Sequence, residues 1–569
     1  MANRGPLVRA AKSCYRAAMR VEIFALSAVL FAAQAADDAL IRAAAARSVK
    51  LLQSSMGQWK QDCNSCHHQS LPLMALDSAR RHGIPVDESA AQRAAEQTFS
   101  YLSSIDLAVQ YSDVADPALV DGYQLTAAAA SNIAPSLTTS IYARRLARLQ
   151  TSAGHWRTFD GRPPHSASIF TPTALAARAI ALYAPGETAA IERARQWLIR
   201  AQPASAEDHA FRLLGLAWTS APESARSQAA RQVLALQRPD GGWGQLPALE
   251  SDAYSTAELV YALRLATGDL NQAGLQYLLR TQQPDGSWIV ETRLHPVVPM
   301  SPPYFESGFP GGRNQFLSCA ATAWAVMSLA EALPATPAQP LPVRTAMVKG
   351  EQPWMHSLDD PRAATPGGTT ALMMAAHDPV KVKSLLARGA DVNARAKTGF
   401  DALMVASLYP GNAESVRLLL QHGASPKPRK GIYRFMSAIF HAALAGDAEI
   451  VSLLIRHGAD PRRQSLLLGG FLVRPLEIAA QFEHLDALRA LVKGGAKVDS
   501  LDGERMTSLS WMALLHKDDA LRALLELGAN PRHVDKHGYT PIRHTTGVHH
   551  SSPVAAELLN AALAAPKAR

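Results

Sequence analysis

The chain has 569 residues, 48% of them hydrophobic and 18% charged, which supplies enough apolar surface for packed cores and a length that suggests two or more domains. Its formal net charge of +9 is spread without a long Lys/Arg run, which argues against a nucleic-acid-binding surface. Beyond the N-terminus no run of 18 or more uncharged apolar residues occurs, so no internal membrane span is expected.

Residues 1–35 have the layout of an export signal. Arg4, Arg9, Lys12, Arg16 and Arg20 form a basic region, Ile23 to Ala33 a short apolar one, and Ala33-Gln34-Ala35 a small-residue cleavage site. The alternative is an uncleaved membrane anchor, against which the shortness of the apolar run and Glu22 at its edge both weigh. Cleavage after Ala35 removes five basic residues and one acidic one, lowering the net charge from +9 to +5 (9 − 5 + 1). The expectation is an exported, periplasmic protein. Cys14 leaves with the signal, and the three cysteines that remain, Cys63, Cys66 and Cys319, cannot all pair internally. Cys319 lies in the helical pattern FLSCAATAWAVMSLA and reads as a small buried apolar residue.

The stretch DCNSCHHQ, residues 62–69, contains Cys-x-x-Cys-His, the pattern to which haem is covalently attached in c-type cytochromes. Two thiols three positions apart can reach the two vinyl groups of one porphyrin, and the adjacent His67 can present a ring nitrogen to the iron. Haem c held by Cys63, Cys66 and His67 is therefore the leading expectation. A Cys/His zinc site using Cys63, Cys66 and one or both of His67 and His68 is the first alternative, and a redox-active or structural disulfide the second. Candidate distal iron ligands are His165, His295 and Met300, which lie in loops equivalent to the one carrying the motif. Met74, on the following helix, reads as core, and His68 is expected to point away from the iron.

Downstream, a frame of Gln, Gly and Trp repeats. The clear copies are QRPDGGW (Gln237 to Trp243) and QQPDGSW (Gln282 to Trp288), 45 residues apart, with weaker copies QTSAGHW (Gln150 to Trp156) and QSSMGQW (Gln53 to Trp59). An Asp-Gly turn flanked by Gln and Trp lets the indole cover the end of a helix pair while Gln bonds neighbouring backbone. These copies resemble the QW repeats of the squalene-hopene cyclase and protein prenyltransferase superfamily over residues 40–335, which implies an α/α-toroid of paired helices. The resemblance also supplies a test of activity: the Asp-x-Asp-Asp acid motif of the terpene cyclases is absent from the chain. Adjacent acids at Asp359-Asp360 and Asp518-Asp519 fall outside the toroid and read as solvated. A prenyltransferase-type zinc site would have to be assembled from Asp252, Cys319 and His295, and no ligand spacing supports it.

A second period follows a Pro-rich stretch, residues 336–365, that reads as an extended linker. Gly-Ala ends a helix at Gly389, Gly423, Gly458, Gly495 and Gly528, at spacings of 34, 35, 37 and 33. Units such as MSAIFHAALAGDAEIVSLLIRHGADP resemble ankyrin repeats, which implies a solenoid of about six repeats over residues 366–565 and a protein partner. The fold expected is all-α, a toroid followed by an ankyrin solenoid.

Three functions remain open on this reading. One is a haem-bearing binding and electron-transfer protein whose ankyrin array docks a partner, such as a redox enzyme. Another is a toroid enzyme acting on an apolar, isoprenoid-like substrate with haem or metal. The third is a non-catalytic scaffold with zinc or a disulfide at the Cys-x-x-Cys.

Overall fold

The computed structural model describes residues 37–59, 65–110, 116–158, 163–293, 306–343, 360–427, 436–466, 472–546 and 552–565. Residues 1–35, where an export signal is expected, with Cys14 among them, as well as Cys63, His295, Met300 and Asp359, lie outside the described residues.

Among the described residues the N-terminal part is built of helices: α1 (Asp38–Gln58), a short π-helical turn (Cys66–Ser70), α2 (Leu71–Arg81), α3 (Glu88–Phe99), α4 (Ile105–Gln110), α5 (Pro117–Ala130) and α6 (Leu137–Arg148). It continues through α7 (Phe170–Tyr183), α8 (Thr188–Arg200), α9 (Ala206–Trp218), α10 (Glu223–Ala235), α11 (Ala253–Thr267), α12 (Gln272–Thr281) and α13 (Gln315–Ala330). Side-chain caps start many of these helices. Asp87, Asp116 and Asn271 each accept an amide of the first turn, and Ser205 and Asp208 form a reciprocal capping box.

Two kinds of helix alternate. In α13 every residue but Phe316 is buried, as its uniformly apolar sequence requires. In α8 only Ala190, Ala194 and Leu198 are buried, one stripe at four-residue spacing. The buried helices contact one another in succession, α2 with α5, then α7, α9, α11 and α13, and α13 packs back on α2. The amphipathic α12 in turn reaches α1.

The Gln/Trp frame makes the same bonds in three copies. The indole N–H of Trp156, Trp243 and Trp288 donates to the carbonyl ten residues earlier, Leu146, Val233 and Leu278, at 2.7, 3.0 and 3.0 Å. Gln150, Gln237 and Gln282 donate to the carbonyls of Gly154, Gly241 and Gly286 within the turn, and across to Ala190, Asn271 and Ala44. Gln282 thus ties the last copy to the first helix. The fourth copy, Gln53 to Trp59, departs from the expected turn: Gly57 lies inside α1, and Gln53 pairs with the backbone of Asp87 instead.

Residues 336–343 carry no helix, as expected, but they are anchored. Thr336 N–H donates to the Arg81 carbonyl at 2.7 Å and Leu341 is buried.

The C-terminal part stacks six helix pairs among the described residues: α14 (Ala371–Met374) with α15 (Pro379–Ala387), α16 (Ala402–Ala406) with α17 (Ala413–Gln421), and α18 (Ala438–Ala445) with α19 (Ala448–Arg456). The series ends with α20 (Pro475–Gln481) and α21 (Leu485–Lys493), α22 (Ser508–Leu514) and α23 (Asp518–Glu526), and α24 (Pro541–His544) and α25 (Pro553–Ala564). A two-residue hairpin, β1 (Ser465–Leu466) with β2 (Leu472–Val473), is the departure from an all-α chain. At all five Gly-Ala steps the glycine has a positive φ, 85° to 102°, and the following Ala N–H donates to the Leu carbonyl five residues back, as Ala459 does to Leu454 at 3.0 Å.

Candidate functional site

The Cys-x-x-Cys-His segment enters the structure at Ser65. The Ser65 side chain accepts from His68 N–H at 3.1 Å, and its own N–H donates to Gln69 Oε1 at 2.9 Å, closing a tight turn. Pro72 then follows at the start of α2, where its missing N–H costs nothing. The end of the motif that lies among the described residues, Cys66 and His67, belongs to a π-helical turn continuous with α2, with Cys66 to Ser70 all buried.

Of the candidate distal ligands, the structure brings His165 to His67. Their ring centroids are 5.5 Å apart and edge-on, and both imidazoles are buried. Two imidazoles bound to one metal ion through nitrogens at about 2 Å place their ring centroids about 5 Å apart in a tetrahedral site and roughly 6–6.5 Å apart on opposite sides of the ion, and 5.5 Å lies between the two. Phe316 stands edge-on to His67 at 5.5 Å. The ring of His68 is 4.7 Å from that of His67 and is stacked on Trp59 at 4.9 Å. Neither ring nitrogen of His68 has a hydrogen-bond partner among the described residues, and burial, opposed by Glu306 and reinforced by His165, pushes its pKa down to about 3.

His165 is held by its neighbours. Its ring stacks on Tyr123 at 5.2 Å, and Tyr254 Oη lies 3.4 Å from its Nδ1. Because Tyr254 donates its proton to Glu207 Oε2 at 2.8 Å, the phenol oxygen accepts from His165 Nδ1–H. That tautomer presents Nε2 as the basic nitrogen.

Behind Tyr254 lies a second centre that the sequence did not announce. Thr171 donates to Glu207 Oε1 at 2.7 Å, and Glu258 adjoins Glu207. Both carboxyls are buried, and both pKa values are raised, by burial first and then, for Glu258, by the Glu207 charge. The two side chains hydrogen-bond to each other, Glu207 gaining and Glu258 losing acidity by it, as expected of two carboxyls that share one proton. Tyr123, Phe211 and Trp324 pack in a chain of rings at 6.3 and 6.1 Å alongside, and all three are fully buried, as are Glu258 and Tyr254.

The other residues singled out in the sequence resolve into structural roles. Cys319 is buried in α13, and burial pushes its thiol well above the ordinary range. Asp252 caps α11, accepting from Ser255 N–H at 2.9 Å. Met74 is core, and Asp518 accepts a hydroxyl from Ser552 at 2.9 Å. Among the described residues no group of three or more His, Cys, Asp and Glu is placed to hold a metal ion, and no helix is long and apolar enough to cross a membrane.

Comparison with known proteins bears on the C-terminal part. A family model described as Ankyrin repeats (3 copies) matches residues 347–430, and one described as Ankyrin repeat matches residues 436–465. Over 86 residues, 15% of the chain, the sequence is 41% identical to SH3 and multiple ankyrin repeat domains protein 2 of Homo sapiens. Over 75 residues, 13% of the chain, it is 41% identical to SH3 and multiple ankyrin repeat domains protein 1 of Homo sapiens. The chain spans 5% and 4% of the lengths of these two relatives. Among solved structures, the human ASB11 ankyrin repeat domain is 21% identical with a TM-score of 0.33, covering 38% of this chain and 100% of that one. The ankyrin repeat domain of Bcl-3 is 21% identical with a TM-score of 0.30, covering 35% and 86%. The chain carries ankyrin repeats in its C-terminal part, a module that suggests a role in protein–protein interaction.

Proposed function

We propose that this is an exported, periplasmic binding and electron-transfer protein: an α/α-toroid bearing one covalently attached haem c, with an ankyrin array that docks a protein partner, such as a redox enzyme. The toroid reading is supported by the succession of buried helices that returns from α13 to α2, and by Gln282 bonding back to Ala44 in α1.

The observation that carries the haem is the pairing of His67 with His165 at 5.5 Å, one residue from the buried Cys66. The donor set fits the group. In this reading Cys63 and Cys66 would hold the haem and His67 and His165 would offer its iron their imidazole nitrogens, with the Phe316 ring beside His67 and the Tyr123 ring beside His165. Bound there, haem would supply reversible one-electron transfer. The chain's own residues do the rest: Tyr254 fixes the His165 tautomer, stacking on Tyr123 fixes its ring plane, and burial of both histidines keeps water out. Expression to the periplasm with the cytochrome c maturation machinery, followed by a haem stain on a denaturing gel, tests this. A stain that survives denaturation and disappears in Cys63→Ser/Cys66→Ser supports it; an unstained wild-type protein refutes it.

His68 favours a second reading, a zinc ion held by Cys63, Cys66 and imidazoles. A buried imidazole with neither nitrogen bonded is costly unless an ion takes one of them, and a bare ion needs little room between closely packed rings. Elemental analysis of the purified protein separates the two, one iron per chain against one zinc.

A further inference from the structure

The ankyrin repeats do not stand apart from the rest of the chain. In the first two repeats, the Thr365 and Thr369 hydroxyls donate to the Asp106 carboxylate on α4. Gln110, one turn further along α4 and fully buried, donates to Thr369 Oγ1 at 2.6 Å and accepts from Thr398 Oγ1 at 2.5 Å. Arg145 of α6 bonds the Tyr409 hydroxyl, and Arg148 acts on both Tyr409 and His377. Further along the array, Arg157 pairs with Glu483 at 3.6 Å, and Lys517 donates to the Thr158 carbonyl at 2.8 Å. His516 feels the charge of Arg293.

The array residues share a structural position. His377, Tyr409, Glu483 and His516-Lys517 all lie in the turn joining the two helices of a pair, in the first, second, fourth and fifth pairs. The corresponding turn of the third pair carries Gly446, which has no side chain to offer. Equivalent turns of successive repeats thus form one row, matched by side chains and carbonyls from α6, residues 157–158 and Arg293, while α4 holds the loops that precede the first helices of the first two pairs, through Thr365, Thr369 and Thr398.

From this repeated register we infer that the ankyrin array is a cis-docking module. Its first partner is the chain's own N-terminal half, gripped through the loops before the first two pairs and through the inter-helix turns, and an external protein that uses those loops and turns gains them by displacing that half. The inference rests on the array being a protein-binding surface but not on any cofactor. The docked half presents an acid and an amide one helical turn apart, followed by arginines, so a competitor would offer the same pattern.

Gly367 provides the test. The three atoms nearest to a Cβ added there all belong to the Asp106 carboxylate, and Gly367 does not need a positive φ, so Gly367→Ala burdens the docked contact and spares the repeat's own backbone. Hydrogen–deuterium exchange of the full-length chain is read at residues 105–110, 153–158 and 514–518. The expected result is slow exchange in the wild type, at least tenfold faster exchange of those segments in Gly367→Ala with helix content retained, and partial restoration in Asp106→Ala/Gly367→Ala. Fast exchange at all three segments in the wild type, or exchange unaltered by Gly367→Ala, overturns the inference. A larger radius of gyration by small-angle X-ray scattering for Gly367→Ala supports it independently.

Discussion

Replacing the glycine of each Gln/Trp frame by alanine should have opposite effects in different copies. Gly241 has a φ of 86°, and a Cβ there would lie 2.5 Å from the Ala273 carbonyl oxygen at the start of α12. The left-handed conformation costs an L-residue roughly 1–2 kcal/mol. Moving the turn off α12 to relieve the overlap adds an overpacking cost of roughly 1–3 kcal/mol. Gly241→Ala is therefore expected to destabilise by roughly 2–5 kcal/mol, and Gly154→Ala and Gly286→Ala, whose added Cβ would also strike backbone, by similar amounts. Gly57 belongs to the same frame in sequence, yet it sits within α1, and nothing lies within 4 Å of an added Cβ. Helix propensity alone makes Gly57→Ala neutral to stabilising by up to about 1 kcal/mol. Urea unfolding followed by circular dichroism measures all four. Equal destabilisation by Gly57→Ala and Gly241→Ala would refute the reasoning, because the first copy would then form the turn that the other three form.

Three further outcomes are expected. Trp243→Phe keeps most of the ring but leaves the Val233 carbonyl without the indole N–H, and should lower stability by about 1–3 kcal/mol in urea unfolding. The Glu207–Glu258 pair keeps a proton after the unfolded chain has lost it, so the native state binds more protons above the ordinary carboxyl range, and stability falls as pH rises. Glu258→Gln should flatten that alkaline decline in Tm against pH. His441 works in the opposite direction: burial lowers its pKa from 6.5 to about 4, so the unfolded chain takes up the proton first and stability is lost as pH falls from 6.5 toward 4. A shift of that size is worth at most about 3 kcal/mol, and His441→Gln should remove most of it from the acid limb of the ankyrin part.

How much of this was legible in the sequence depended on range. The Gly-Ala steps, and the turns and indole bonds of the Gln/Trp frames, act within ten residues of themselves and could be anticipated from the letters, whereas the bonds of the same glutamines to Ala190, Asn271 and Ala44 could not. The exception, Gln53 to Trp59, could not be told by its letters from Gln150 to Trp156: both lack the Pro-Asp of the clear copies, yet the second forms the turn and the first continues α1. His165 was one of three candidate partners for His67, and only the folded chain could bring together residues 98 positions apart. The carboxyl pair was missed for the same reason, since Glu207 and Glu258 each stand alone in sequence. A hint was present: Glu258 interrupts STAELVYALRLA, a helix too apolar to face water on any side, so its carboxyl had to be buried. The cis contacts of the ankyrin array left no local signature, because Thr, Tyr, Glu and Lys at a turn read as ordinary surface.

The central claim, that His67 and His165 share one haem iron, is tested most directly by electron paramagnetic resonance of the oxidised protein, purified from the periplasm of a host with cytochrome c maturation. The account predicts a low-spin bis-imidazole signal in the wild type that becomes high-spin in His165→Ala while the covalent haem is retained. A protein without iron, or a low-spin signal that His165→Ala leaves unchanged, would contradict it.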